Sequence, residues 1–165
     1  MTRTTPWYKI QLTLLLAFAL TLLPVSEALK PIWPQWLVIV ICYWTLAHPD
    51  RFGLRSAWLW GLLTDVAMGT YLGIHALSLS LVAYVSLTSY QRIRMYTIWQ
   101  QSLYVWLIAS LDKLVVIQLE NALGQVTLPE WYWFPPIITG FLWNPAAWLI
   151  QKYRQLGQVA HRRYN

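Results

Sequence analysis

Residues 56–77 read SAWLWGLLTDVAMGTYLGIHAL, and this stretch decides how the chain folds. Ala57, Gly61, Asp65, Gly69 and Gly73 recur at intervals of four. Positions four apart lie nearly above one another on an α-helix, so they form one stripe of minimal side chains with a carboxylate in its middle. The other faces carry Trp58, Leu59, Trp60, Leu62, Leu63, Val66, Ala67 and Met68. A helix this apolar outside its small stripe suits a membrane, with a second backbone packed closely on the stripe and Asp65 turned away from lipid. A buried helix of a soluble protein shares those features, because only about 15 residues precede the glycine pair and a span asks for about 20.

Composition decides between the two. Of 165 residues, 58% are hydrophobic and 11% are charged, where soluble domains carry about 25% charged residues. A soluble domain of this length has too little interior for so much apolar surface, so we expect one polytopic membrane domain over 1–165. The net charge of +6 does not imply nucleic acid, because the basic residues stand in short groups between apolar runs. Cys42 is a lone cysteine in an apolar run and has no intrachain disulfide partner. The first apolar run has no small-residue cleavage site behind it, so it is expected to remain as a helix.

The pattern predicts an all-α fold of six transmembrane helices over about 10–28, 35–47, 56–70, 72–90, 99–123 and 132–150. Alternating sides collect Arg3, Lys9, Arg51, Arg55, Arg92, Arg94, Lys152, Arg154, Arg162 and Arg163 on one side. The other side receives Lys30, and Lys113 falls within a span. The positive-inside rule then puts both termini in the cytoplasm. It also requires a true turn at Gly69 to Gly73, since merging spans three and four would send Arg92 and Arg94 outside. Pro145 should kink the sixth span by removing a backbone donor.

Chemistry within the spans rests on few groups: Asp65 near mid-depth, Asp112 and Lys113 near the middle of span five, and Glu120 close to the outer interface, where water can solvate it. Lys113 has Glu120, Asp65 or Asp112 as candidate partners. Such groups fit either a proton or ion relay with a polar substrate site, or a structural polar cluster. The scarcity of further carboxylates and histidines favours the structural reading. His75 has no ligand-spaced partner and reads as a hydrogen-bonded packing residue; His48 and His161 read as solvated. Metal, cofactor and catalytic motifs are missing, including HExxH, GxSxG and a phosphate-cradling glycine loop. The serines of span four, Ser78, Ser80, Ser86 and Ser89, have no base beside them and should bond backbone carbonyls or a neighbouring helix. Ala76, Ser80, Ala83 and Ser86 or Ser89 offer a face on which the small stripe of span three can pack, with Gly61 and Gly69 at the contact.

Residues 31 to about 90 carry a resemblance. Pro34-Gln35-Trp36-Leu37, YWTLAHPDR at 43–51, GLLTD at 61–65 and GTYLGIHAL at 69–77 stand in the order and spacing of the rod shape-determining protein MreD family of Gram-negative bacteria. WQQ at 99–101, Asp112 and GFLWNPAAWLIQKYR at 140–154 fit as well, while the first span and the loop in the 120s match in character only. Lys113 and Trp131-Tyr132-Trp133 have no place in that pattern. The resemblance implies a non-enzymatic inner-membrane subunit of the cell-elongation machinery. Its implied partners are MreC, with one membrane helix, the actin-like MreB and the side-wall peptidoglycan synthase. It also implies a helix arrangement similar to the substrate-binding subunits of energy-coupling-factor transporters, a likeness of fold that does not carry function. A scaffold and a small-molecule or vitamin-type carrier are the two functions left to weigh. A side-chain-filled bundle suits the first and an open mid-membrane cavity lined by Asp65, Asp112 and His75 suits the second. Oligomeric state is open on these grounds.

Overall fold

The structure is a computed structural model that describes residues 6–124 and 130–160, with residues 154–160 described by backbone only. The described residues form helices and turns without strands. The α-helices are α1 (Trp7–Thr21), α2 (Trp36–Ala47), α3 (Leu54–Met68), α4 (Ile74–Ile93), α5 (Ile98–Ala122) and α6 (Phe134–Ala160). A 3-10 turn at Lys30–Ile32 precedes α2. Of these, α5 is the helix long and apolar enough to cross a membrane by length and composition.

The short α2 is the centre of the bundle. Every residue from Leu37 to Leu46 is buried. The segment WLVIVICYWTLA is apolar on all sides, and a helix of that kind must be enclosed all round. Twelve residues rise only about 18 Å, well short of a bilayer's hydrocarbon thickness. Helices α1, α4, α5 and α6 surround it. Two of its buried polar side chains find partners: the Trp44 indole N–H donates to Thr13 Oγ1 at 2.7 Å, and Thr45 bonds back to the Ile41 and Cys42 carbonyls. Cys42 is buried, with Sγ 3.7 Å from Ser86 Oγ.

Consecutive helices run antiparallel, and the side chains that tie the ends show it. At one end Arg94 donates to the Ala47 carbonyl at 2.7 Å and Lys9 lies over the Tyr153 ring. At the other end the Trp33 indole donates to the Leu20 carbonyl at 3.1 Å. There too the Gln35 backbone N–H donates to Thr139 Oγ1 at 2.9 Å. The first end holds Lys9, Arg51, Arg55, Arg92, Arg94 and Lys152, while Arg3, His161, Arg162 and Arg163 lie outside the described residues.

Helix bounds depart from the sequence expectation at both ends of the chain. The first helix stops at Thr21 rather than near 28, because Pro24 turns Leu23 away from helical backbone and the chain folds into a turn. The last helix runs to Ala160 rather than 150, since the polar residues after Ile150 keep helix-forming backbones. Helix α6 also continues through Pro145, so the missing N–H weakens the ladder without ending the helix. Thr97 and Gln100 close a capping box at the start of α5.

The small stripe splits into two devices. Gly61 meets α4: a Cβ placed there would lie 2.6 Å from both Ala76 N and His75 O, so the two backbones touch. Ala57 and Asp65 share that face and are fully buried. A Cβ on Gly69 or Gly73 would meet nothing within 4 Å, so neither is a close helix contact. Gly69 ends α3 at φ 67° and Gly73 begins α4 at φ 109°, a left-handed backbone that side chains resist. The expectation of a helix contact at Gly69 is therefore replaced by a turn. The serine face of α4 divides too, because Ser86 bonds toward Cys42 and Tyr104, on α2 and α5.

Gly61→Ala should then destabilise by about 1–3 kcal/mol through overpacking. Gly69→Ala should lose about 1–2 kcal/mol through backbone strain alone. Gly61→Leu should be far worse than Gly69→Leu, as thermal melting in detergent will register. A Gly61→Leu protein that melts like Gly69→Leu would remove the close approach from the fold.

Candidate functional site

The site begins at the turn between α3 and α4. Asp65 is fully buried, and its carboxylate collects the first amides of α4. Oδ2 accepts from Gly73 N at 2.9 Å and Ala76 N at 3.3 Å; Oδ1 accepts from His75 N at 2.9 Å. The Thr70 hydroxyl adds a bond at 3.0 Å and the His75 ring adds another through Nδ1 at 2.8 Å. The first amides of a helix have no partner within the helix and carry its positive dipole end, so a carboxylate is their natural complement. Here that carboxylate comes from the preceding helix, reached only because two left-handed glycines fold the connection tightly. Both oxygens are saturated with donors. Asp65 is thus a structural cap, and its charge is balanced by amides rather than by Lys113.

The bond to Asp65 settles the His75 ring. A carboxylate only accepts, so Nδ1 carries the proton in this bond. His75 lines a cavity of about 560 Å³, together with Asp112, Lys113, Gln35, Trp36 and Trp131. Asp65 does not line it. Asp112 is 7% exposed and accepts from the Ser78 hydroxyl at 2.5 Å. That bond joins α5 to α4, the interhelical role expected of the span-four serines. Lys113 sits over the Tyr132 ring at 5.1 Å, and the Tyr132 hydroxyl donates to the Lys113 carbonyl at 3.0 Å. Lys113, which lines the cavity, and Tyr132 had no assigned role in the sequence, and they thereby hold each other. Lys30 pairs with Glu27 at the rim. Among the described residues no trio of His, Cys, Asp or Glu gathers at metal-binding range.

Gln35 is the cavity residue that sequence reading passed over. Its backbone is pinned to Thr139, which in turn donates to the Pro135 carbonyl at 2.7 Å. Its amide oxygen and nitrogen are both buried and have no hydrogen-bond partner, and neither has the Trp36 indole N–H. A buried polar group left unpaired costs about 1–3 kcal/mol. The one available signal was a glutamine set between Pro34 and a long apolar run, and it reads equally as a helix start.

Replacing Asp65 tests the cap. Asp65→Asn turns one acceptor into a donor that faces N–H groups, and Asp65→Ala leaves the amides bare. Each should destabilise by about 2–3 kcal/mol, the scale of a lost cap and a lost charge-assisted bond. Thermal melting measures this, and hydrogen exchange should rise first at Gly73 to Ala76. Unchanged exchange at those amides would refute the cap.

Comparison with known proteins places this arrangement. The sequence model of one family, rod shape-determining protein MreD, matches residues 1–153. The rod shape-determining protein MreD of Haemophilus influenzae is 32% identical over 149 residues, covering 90% of this chain and 92% of that protein. No solved structure matches the chain. The match spans α1 to α5 and α6 as far as Tyr153, and so takes in the capped turn and the cavity; the chain belongs to the MreD family of rod shape-determining proteins.

Proposed function

We propose that this chain is a non-enzymatic, multi-pass subunit of the bacterial inner membrane that scaffolds the cell-elongation machinery. Family membership supports the rod-shape role. The observation that carries the membrane part is the outer surface. Leu59, Leu63 and Val66 of α3, Leu103 and Leu107 of α5, and Phe141 and Leu149 of α6 are all exposed, while Asp65, Thr64, Ser78 and Asp112 turn inward. Polar groups inside and apolar groups outside suit a hydrocarbon surrounding, in which exposed apolar patches of this extent are ordinary. All six helices then cross or enter the bilayer. The end holding Arg51, Arg55, Arg92 and Arg94 faces the cytoplasm, as do both termini. The shorter helices fit by local thinning and by enclosure within the bundle.

The mechanism is helix packing. The single membrane helix of MreC docks on the apolar exterior, and the pair presents a composite surface to MreB and to the side-wall peptidoglycan synthase. Asp65 and Gly61 act indirectly, by keeping α3 and α4 in one rigid hairpin on which that surface depends. A carrier is the second reading, and the cavity of about 560 Å³ favours it, since small-molecule sites occupy this size range.

The test is complementation in a rod-shaped Gram-negative strain lacking its own MreD, with recovery of MreC by affinity purification. The wild-type chain should restore rods and retain MreC. Gly61→Leu should produce round cells and about tenfold less MreC, the effect of roughly 1.4 kcal/mol. Rods and full MreC recovery from a Gly61→Leu chain present at wild-type level would overturn the packing mechanism. Uptake of a small molecule that depends on the chain, with no effect on MreC, would favour the carrier.

A further inference from the structure

We infer that the cavity of about 560 Å³ binds a small zwitterion, with its ammonium on Asp112 and its oxyanion on Lys113. The inference concerns the cavity alone and depends on neither the scaffold nor the carrier reading.

The first observation is which charges in the cavity are already matched. Lys30, His75, Asp112 and Lys113 are the charged or titratable residues that line it. Lys30 is paired with Glu27, and the His75 ring is bonded to Asp65. Asp112 and Lys113 are left over. Among the described residues neither forms an ion pair, with each other or with a third group. Ionisable groups in an apolar bundle are costly unless paired, so this is an unusual condition for two opposite charges on adjacent residues.

The second observation is that both groups are reachable. Asp112 accepts from the Ser78 hydroxyl at Oδ1, and Oδ2 has no donor among the described residues. Lys113 lies over the Tyr132 ring, 5.1 Å from its centre, and its ammonium has no oxygen acceptor among the described residues. Sealed and unpaired side-chain atoms occur elsewhere, on Gln35, Trp36, Ser80 and Ser102. Asp112 Oδ2 and Lys113 Nζ are not sealed in that way, so a molecule in the cavity can touch both.

Complementarity then selects the ligand. An anion alone would face the carboxylate of Asp112, and a cation alone would face Lys113. An uncharged molecule would leave both charges bare. A molecule with both charges matches both residues, and like charges stay apart. Successive residues of a helix point about 100° apart, so the two side chains enter the cavity from different angles and the ligand bridges them. Met68, Leu79, Trp33 and Trp131 supply wall for an apolar group on the same molecule. Two sources carry this chemistry: a free α-amino acid with an apolar side chain, and the ethanolamine headgroup of a phospholipid.

Phenylalanine is the soluble probe. Phenethylamine lacks its carboxylate, and 3-phenylpropanoate lacks its ammonium. Ligand-observed NMR reads their binding to the full chain in phosphatidylcholine nanodiscs. For the lipid source, the chain is placed in nanodiscs of equal phosphatidylethanolamine and phosphatidylglycerol, and native mass spectrometry reads which lipid stays bound. A soluble ligand predicts saturable binding of phenylalanine at or below about 1 mM, with each one-charge analogue at least tenfold weaker. A lipid ligand predicts phosphatidylethanolamine retained at least tenfold over phosphatidylglycerol. Asp112→Asn and Lys113→Gln should each weaken zwitterion binding at least tenfold. Asp112→Asn should also erase the preference over the anion, 3-phenylpropanoate or phosphatidylglycerol. Lys113→Gln should erase the preference over phenethylamine. A general loss of packing would not produce these opposite changes. Absence of both kinds of zwitterion binding would overturn the inference. So would a one-charge probe that binds the wild-type chain as tightly as its zwitterion, or an unchanged preference in a folded variant. The wild-type comparisons decide even if the variants misfold. Because binding is read without partners, a negative result here leaves the scaffold role standing, and a failed complementation leaves the site standing.

Discussion

The carboxylate of Asp65 is the constraint on which the rest of the structure depends. A helix that begins inside an apolar bundle exposes its first amides to an environment with no water to satisfy them. Helix α4 begins in this way at Ile74, and its Gly73, His75 and Ala76 amides all end on Asp65. Satisfying them from the neighbouring helix demands a connection short enough to return at once. Gly69 and Gly73 make that return possible in left-handed backbone, and Gly61 lets α4 lie directly against α3. One charge thus sets the turn, the interhelical distance and the position of α4.

From α4 the order spreads inward. Ser78 ties Asp112 of α5, and Ser86 reaches both Cys42 of α2 and Tyr104 of α5. The enclosed α2 fills the centre with Ile39, Ile41 and Trp44. These bonds are short-range and directional, which suits a bundle whose exterior is apolar, because such a bundle gains little specificity from hydrophobic burial alone. The polar residues inside therefore choose one packing among many that apolar side chains would tolerate.

The cavity belongs to the opposite logic. Near Gln35 the bundle is not filled: about 560 Å³ remains, walled in part by tryptophans and by the connection between α1 and α2. Pro24, Pro31 and Pro34 keep that chain from continuing the helices on either side, and Trp33 and Gln35 tie it to α1 and α6.

Much of this was legible in the residues themselves. The deficit of charge, the four-residue stripe from Ala57 to Asp65 and the sided basic groups determine an all-helical chain, the approximate helices and the turn at Gly69 to Gly73, because these are local periodicities and backbone preferences. The motifs from Pro34 to Leu77 determine the family. What Asp65 does could be decided only in three dimensions, since a carboxylate's role depends on whether charge, amide or water faces it, and the facing amides lie eight to eleven residues further along the chain. Gly69 likewise left the packing stripe because helix periodicity ends where the backbone turns left-handed. The pairing of Lys113 with Tyr132 and the unpaired amide of Gln35 lie beyond any sequence pattern. Both arise where α2, α5 and α6 meet, and only tertiary packing decides which polar groups find partners there.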